Sequence, residues 1–379
     1  MLDSLFVHNF RLFKKLEVER LGRVNLIAGK NNSGKSCLLE AIRVYMSNAS
    51  PNVLFELISQ RNELWEFDIQ DEEHNIHDYE NPLRHLFYGY HLPRVGDEGE
   101  GIRIGLLEDI QSNLCIRTQL YQIISSEDGR RIHIIPQQEI PNIDANLVGG
   151  IALEIEKGEL KRLLPLDDLI RPSRIGISRN RFLSYSLEIK ENIQVVPAGG
   201  MSESRISLLW DNINLTDLED EVVNCLKLIN GSVKGVALVG SEQARTKYRI
   251  PIIRLEQSSE RLPLKSMGDG MTRLFHLILA LANAKDGTFL VDEFENGLHW
   301  SVLPKVWNTV FALAERLNVQ VVATTHSRDC ILGFRQAWEQ NESLGSFHRL
   351  DPDLENGAKS VSYSLETLSD ALDMDVEVR

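Results

Sequence analysis

Residues 24–28, Val-Asn-Leu-Ile-Ala, run without a break into Gly29-Lys30-Asn31-Asn32-Ser33-Gly34-Lys35-Ser36, and that junction leaves few folds open to the chain. A short, nearly continuous apolar run suits a strand buried on both faces of a parallel sheet. The octet is a complete G-x-x-x-x-G-K-S loop, and Leu38, Leu39 and Ile42 then recur at helical spacing over residues 36–45. Strand, glycine-rich turn and helix in this order bind phosphate for physical reasons. Glycines let the backbone wrap until the N–H groups of the turn and of the helix start face anionic oxygens. Gly29, Asn31, Asn32, Ser33, Gly34 and Cys37 would form that cradle. Lys35 would reach the β- and γ-phosphates of ATP, and Ser36 would offer a hydroxyl to Mg²⁺.

A second apolar run, residues 288–291, ends in Asp292-Glu293. Ligands of open α/β sheets gather beyond the carboxyl ends of strands. Asp292 is therefore expected to hold Mg²⁺ through its water, and Glu293 to orient and deprotonate an attacking water. Alone, such a strand end is equally well explained by acidic turn residues; the phosphate loop makes the chemical reading the stronger one. A third run, residues 321–327, puts His326 at another strand end, where it would hydrogen-bond the γ-phosphate and the catalytic water. A lone histidine is more often a satisfied surface or core residue. Its position one helix after Asp292-Glu293 favours the functional role.

Composition bounds the class. The chain has 379 residues, 42% hydrophobic and 25% charged, enough for a large core in one domain or in two to three packed lobes. No stretch reaches the ~18 apolar residues of a membrane span. The N-terminus has no apolar segment ahead of a small-residue cleavage site, so export is not expected. Cys37, Cys115, Cys225 and Cys330 lie far apart without C-x-x-C spacing, which disfavours both zinc and a disulfide framework. The expected setting is a reducing cytoplasm away from membranes. A net charge of −14 disfavours a surface built throughout for DNA, leaving a local basic groove or a partner to supply such contacts.

Residues 2–8 and 14–19 read as short strands around 9–13, and 48–101 as loops with short helices. Alternating runs over 102–200, the last of them NIQVVPA, suggest an antiparallel β-rich lobe. Residues 215–230 read as a helix with Thr216 as N-cap and Glu219 closing a capping box. Strands are expected near 235–239 and 247–255. A regular series follows: helix 270–284, strand 288–293, helix 300–316, strand 319–324 and helix 328–340. Such alternation implies a parallel sheet. The expected fold is α/β, with residues 1–200 as an N-terminal lobe, 201–262 as an inserted helical and strand segment, and 263–379 as a parallel-sheet C-terminal lobe.

The segments HNFRLF, AGKNNSGKS, SMGDGMTRLFHLILAL, FLVDEFENGLH and VVATTHSRD together resemble the heads of ABC-class ATPases shared by RecF, SMC proteins and the overcoming-lysogenization-defect (OLD) nucleases. The nearest likeness is to the stand-alone OLD-like, or AAA15, ATPases. It is firm over residues 1–47 and 263–340 and loose between them. The resemblance implies an ABC-type P-loop head that binds and hydrolyses ATP with Mg²⁺ at a homodimer interface. Ser266, Gly268 and Gly270 would be the signature that touches the γ-phosphate held by the other subunit. Glu295, Asn296, Gly297, Leu298 and His299 would be the D-loop crossing the interface, and Arg11 would lie near the nucleotide. Met267, Asp269 and Met271 depart from the transporter signature LSGGQ, which argues against a transporter subunit. Gln111, Gln119 and Gln137 are the candidates for a Q-loop glutamine. OLD nucleases continue into a TOPRIM domain with clustered carboxylates. The residues after 340 hold no such cluster, so a separately encoded effector is expected, such as a nuclease in phage defence. The alternatives are a RecF-like repair ATPase that binds DNA directly and a nucleotide-sensing scaffold with negligible turnover.

Overall fold

The computed structural model describes residues 1–63, 81–95, 99, 101–126, 129–135, 150–166, 192–240, 249–256 and 260–379. Strands β1 (Leu5–Phe10), β2 (Phe13–Val18) and β3 (Val24–Gly29) lead into helices α1 (Lys35–Met46) and α2 (Pro51–Gln60). Five strands follow: β4 (Ile102–Gly105), β5 (Leu114–Ser126), β6 (Gly129–Ile134), β7 (Gly150–Lys157) and β8 (Leu160–Pro165). After β9 (Ile193–Val196) come α3 (Glu203–Ile213), α4 (Asp217–Leu226), β10 (Val233–Gly240), β11 (Arg249–Leu255) and β12 (Arg261–Pro263). The chain then alternates through α5 (Asp269–Ala282), β13 (Thr288–Val291), α6 (Leu303–Arg316), β14 (Gln320–Thr325) and α7 (Arg328–Trp338). It closes with β15 (Gly345–Asp353), β16 (Gly357–Tyr363) and α8 (Leu365–Asp373).

The strands form three sheets. One has the order β16-β15-β3-β14-β13-β9 and is parallel except for β16. Every residue of β3, β13 and β14 is buried, which is why these segments read as unbroken apolar runs. Alternate side chains serve two separate cores, as the period-2 geometry of a strand requires. Val24, Leu26 and Ala28 face the core built with α5, α6 and α7, together with Phe289, Val291, Val321 and Ala323. Ile27, Leu290 and Val322 point the other way, onto α1 and the antiparallel sheet β2-β1-β4-β5-β7-β8, where β6 pairs with β5. On the first face Phe294 stacks on Trp307 with ring centroids 3.8 Å apart, and Trp307 is fully buried. Truncating a side chain of that size in a packed core costs about 3–5 kcal/mol.

Four features differ from the sequence reading. The NIQVVPA run is β9 of the parallel sheet, hydrogen-bonded to β13, and not an antiparallel strand. Helix α3 was not anticipated; Ser202 caps it, and its Leu209 and Trp210 join α4 and α5 in one core. Segment 201–262 therefore shares its core with the C-terminal helices. Thr216 does cap α4, accepting from the Leu218 N–H, but Glu219 reaches back to the N–H of Leu215 rather than that of Thr216. Lastly, β15 and β16 occupy residues 345–363, for which the sequence reading assigned no strand, and β15 pairs in parallel with β3.

Candidate nucleotide-binding site

The carboxyl ends of β3, β13 and β14 meet at one edge, so residues 29–36, 292–295 and 326 converge there. Gly29 ends β3 where a Cβ would lie 2.5 Å from Ser33 Oγ and 2.8 Å from the Leu350 carbonyl oxygen. Gly34, the N-cap of α1, has φ 96° and would press a Cβ to 2.8 Å from the ring of Phe13. No L side chain meets both demands at low cost. The turn around residues 9–13 is thus a wall of the phosphate loop, which explains why HNFRLF accompanies it.

Helix α1 begins without a capping side chain, leaving the N–H groups of its first turn to an anion. Ser33 Oγ is buried without a hydrogen-bond partner, as expected of a loop shaped to receive polar atoms. Asn31 and Asn32 are exposed, Asn32 in the left-handed region at φ 64°. Lys35 is buried, and its Nζ donates to the carbonyls of Gly29 at 2.7 Å and Lys30 at 2.8 Å. These oxygens stand where the ammonium would otherwise meet phosphate. Burial pushes the Lys35 pKa down, while the carboxylates of Asp292, Glu293 and Glu295 oppose that shift.

Ser36 Oγ donates to Asp292 Oδ2 at 2.9 Å. The other carboxylate oxygen accepts from Thr324 Oγ1 at 2.6 Å, and Thr324 Oγ1 in turn accepts from the Glu293 N–H at 2.9 Å. A serine hydroxyl and a carboxylate held together fit Mg²⁺, which takes few protein ligands and completes its shell with water and phosphate oxygens. Glu293, at φ 50°, keeps its side chain 38% exposed, open to a water. His326 Nδ1 lies 3.9 Å from Glu293 Oε1 and 3.6 Å from Glu295 Oε1.

Arg273, on α5, escaped the sequence reading. It is 5% exposed, and its guanidinium donates to the carbonyls of Pro197 (2.7 Å), Asp292 (2.6 Å) and Glu293 (2.7 Å). Burial lowers its pKa to about 10 against the pull of Glu295, Asp292 and Glu293. It ties the helix behind the signature to the backbone that carries both acidic residues. The only hint in the sequence was a charge inside an apolar helix.

Several expectations need correction. Arg11 is 3% exposed, and its guanidinium is bound by Glu40, Glu63 and the carbonyls of His85 and Leu57. It fixes the turn beside the phosphate loop and is not presented to a nucleotide. Cys37 turns its thiol into the same cluster, where Arg61 donates to Sγ at 3.5 Å. Gln119 sits in β5, hydrogen-bonded to Glu154, and Gln111 in a short turn before β5. Gln137 lies outside the described residues. Ser266 and Gly268 are exposed and touch nothing in their own phosphate loop, whereas Gly270 packs on the D-loop, where its Cβ would lie 2.8 Å from the Gly297 carbonyl oxygen. Within the D-loop, Gly297 and His299 are exposed, and Leu298 is partly so. Asn296 donates to the Ala198 carbonyl of its own chain, and the Glu295 side chain is turned inward at 11% exposure.

Comparison with known proteins agrees with this arrangement. Residues 1–136 match the family described as AAA ATPase domain. Residues 160–331 match the family described as AAA domain, putative AbiEii toxin, Type IV TA system. An ATP/GTP phosphatase of Helicobacter pylori is 24% identical over 354 residues, covering 87% of this chain and 86% of that protein. The DNA replication and repair protein RecF of Clostridioides difficile is 25% identical over 248 residues, 58% of this chain and 62% of that one. Among solved structures, an Smc head bound to the C-terminal winged-helix domain of ScpA superposes with a TM-score of 0.50 at 13% identity, covering 97% of this chain and 99% of that one. With the phosphate loop, the Asp-Glu strand end and the histidine strand end gathered on one parallel sheet, the chain has the fold and motif order of an ABC-class ATPase head of the RecF/SMC-like type.

Proposed function

We propose that this head binds ATP with Mg²⁺ at the edge formed by residues 29–36 and 292–293 and hydrolyses it to ADP and phosphate at a homodimer interface. The observation that carries the reading is the chain of contacts from Ser36 through Asp292 and Thr324 to the Glu293 N–H, in which the pair that would hold a metal stands one residue from an exposed carboxylate. Ser36 and Asp292 would hold Mg²⁺, which neutralises charge on the β- and γ-phosphates. Lys35 would exchange two backbone carbonyls for phosphate oxygens. Glu293 would accept a proton from the attacking water, and His326 would hold that water or the γ-phosphate in place. The exposed Ser266 and Gly268 would complete the site of a second copy. The H. pylori relative's description as a phosphatase of ATP and GTP supports turnover over mere sensing.

The cycle would serve as a conformational switch for a separately encoded effector. A nuclease in phage defence suits the likeness to OLD proteins, and the description of the family matched by residues 160–331 names a toxin system. Glu293→Gln keeps the shape of the side chain and removes the base. It should bind ATP at wild-type affinity, lose turnover by at least about 100-fold and accumulate as an ATP-bound dimer, read by size exclusion with light scattering. Wild-type turnover in that variant would refute the general-base role, and a wild-type protein with no turnover at all would leave the sensing scaffold in its place.

One observation favours a second reading, direct binding of nucleic acid. Between α1, α2, β8 and α3 lies a cleft of about 820 Å³ lined by Arg43, Arg162 and Arg205, with Glu56 as the carboxylate on its wall. Arg43 pairs with Glu56, while Arg205 is met by the neutral side chain of Gln194. Excess positive charge in a cleft of so acidic a protein suits phosphate, as does the RecF relative. DNA affinity that falls steeply with salt, with a slope reduced in Arg205→Gln, supports this reading; salt-independent or absent binding excludes it.

A further inference from the structure

We infer that Glu295 is a positioning residue that holds His326 within its own subunit, and is not a D-loop contact to the second copy. The inference rests on the hydrolytic reading above. The Glu295 side chain is 11% exposed, whereas its neighbours Asn296 and Gly297 are open to solvent. Its Oε1 accepts from the His326 backbone N–H at 3.1 Å and lies 3.6 Å from Nδ1 of the same residue. The same carboxylate also meets the buried thiol of Cys330.

The His326 ring faces the same Oε1. A separation of 3.6 Å is just beyond a hydrogen bond, and catalytic hydrogen bonds in ligand-free enzymes commonly tighten when substrate arrives. A ring whose Nδ1 is turned to Glu295 presents Nε2 on its opposite side, free to meet a water or a phosphate oxygen. A carboxylate behind a histidine fixes both the orientation and the tautomer of the ring. Glu293, whose Oε1 is 3.9 Å from the same Nδ1, would otherwise compete for the ring and lose its own freedom to take a proton. Arg273 and Lys35 of the same chain lie within the field of Glu295, together with Asp292 and Glu293.

Mere capping of the His326 N–H is the competing role, and the two separate by experiment. Glu295→Gln keeps an oxygen that caps the N–H and removes the charge behind the ring. Turnover number, Michaelis constant, equilibrium ATP affinity and ATP-driven dimerisation would be measured for wild type, Glu295→Gln, His326→Ala and the double variant. Glu295→Gln should lower the turnover number by about tenfold or more, with ATP affinity and dimerisation within about twofold of wild type. The double variant should be no slower than His326→Ala alone, because residues that act as a unit are not additive. Multiplying losses in the double variant, wild-type turnover in Glu295→Gln, or loss of the ATP-driven dimer in Glu295→Gln would each overturn the assignment. His326→Ala turning over at the wild-type rate would instead remove the histidine from the reaction, and Glu295's role with it.

Discussion

Residues 29–36 and 266–270 are both glycine-rich turns that open a helix without a capping side chain. Around the first, the chain closes: Phe13 lies against Gly34, the Leu350 carbonyl against Gly29, and Asp292 is held between Ser36 and Thr324. Around the second it does not. Ser266, Gly268 and Asp269 face solvent, and the Cβ position of Gly268 looks into open space. What does touch the second turn comes from behind it, through Gly297 and through Arg273, which reaches back to the acidic strand end. One backbone device is thus finished by its own chain, while the other is supported from behind and open in front. In the proposed homodimer, a second copy would bring its closed half to the open one.

Substitutions that strike one half alone test this contrast. Lys35→Ala should have the largest effect, because the closed half depends on one mobile charge: ATP affinity by isothermal titration should fall by at least about 100-fold. Unchanged affinity would remove the phosphate-loop assignment. Ser266→Arg should do the opposite, leaving ATP binding intact and lowering turnover by about 100-fold through the partner's site. Serine 266 is the better probe than Gly270, whose substitution would strike the chain's own Gly297 carbonyl. Mixing the two variants should restore about a quarter of wild-type activity, since half the dimers are mixed and each of those keeps one intact composite site. Subunit exchange with no return of activity would show that the open turn acts in cis or that the two sites fire only together.

The closed half was largely legible in the sequence because its requirements are local. A buried strand, a turn needing glycine and a helix start are each written in consecutive residues, as are Asp292 and Glu293 at the end of an apolar run. What escaped depends on distant pairings. Arg11 looked like a cation near the nucleotide, but Glu40 and Glu63 claim it from positions 29 and 52 residues away. Arg273 reads as one basic residue in a helix until its three carbonyl partners are seen. Strand β9 has the same alternating look as the antiparallel runs before it, and only its pairing with β13 assigns it to the parallel sheet. Strand β15 includes Pro352 and three charged residues, so its sequence hides a strand that a parallel neighbour supports.

Arg273 joins the two halves, and its loss should matter less than the loss of either. Arg273→Met keeps the apolar stem and removes the donors to Pro197, Asp292 and Glu293. The turnover number should drop by about tenfold with ATP affinity unchanged, because the acidic strand end loses its hold while the phosphate loop keeps its own. Arg273→Lys should recover part of the loss. If Arg273→Met lowers ATP affinity and leaves the turnover number alone, the two halves are not coupled through this side chain.

The smallest effect concerns stability, and it falls on two buried histidines. His276, on α5, accepts from the Met201 N–H, and His348, on β15, lies between the hydroxyls of Ser346 and Ser362. Burial lowers both pKa values from 6.5 to about 4, helped at His276 by the charges of Arg273 and Lys265. Between these two values the unfolded chain binds protons that the folded chain refuses, so stability is full above pH 6.5 and declines as pH falls toward 4. At pH 5 each histidine should contribute a loss of ~2 kcal/mol relative to pH 7.5. His348→Gln removes one of the two titrations while leaving a hydrogen-bonding side chain between the serines. Its denaturation free energy should change less between pH 7.5 and pH 5 than that of the wild type, by about that amount, whatever the substitution costs at neutral pH. Equal slopes in the two proteins would mean that His348 is hydrated or charged in the fold.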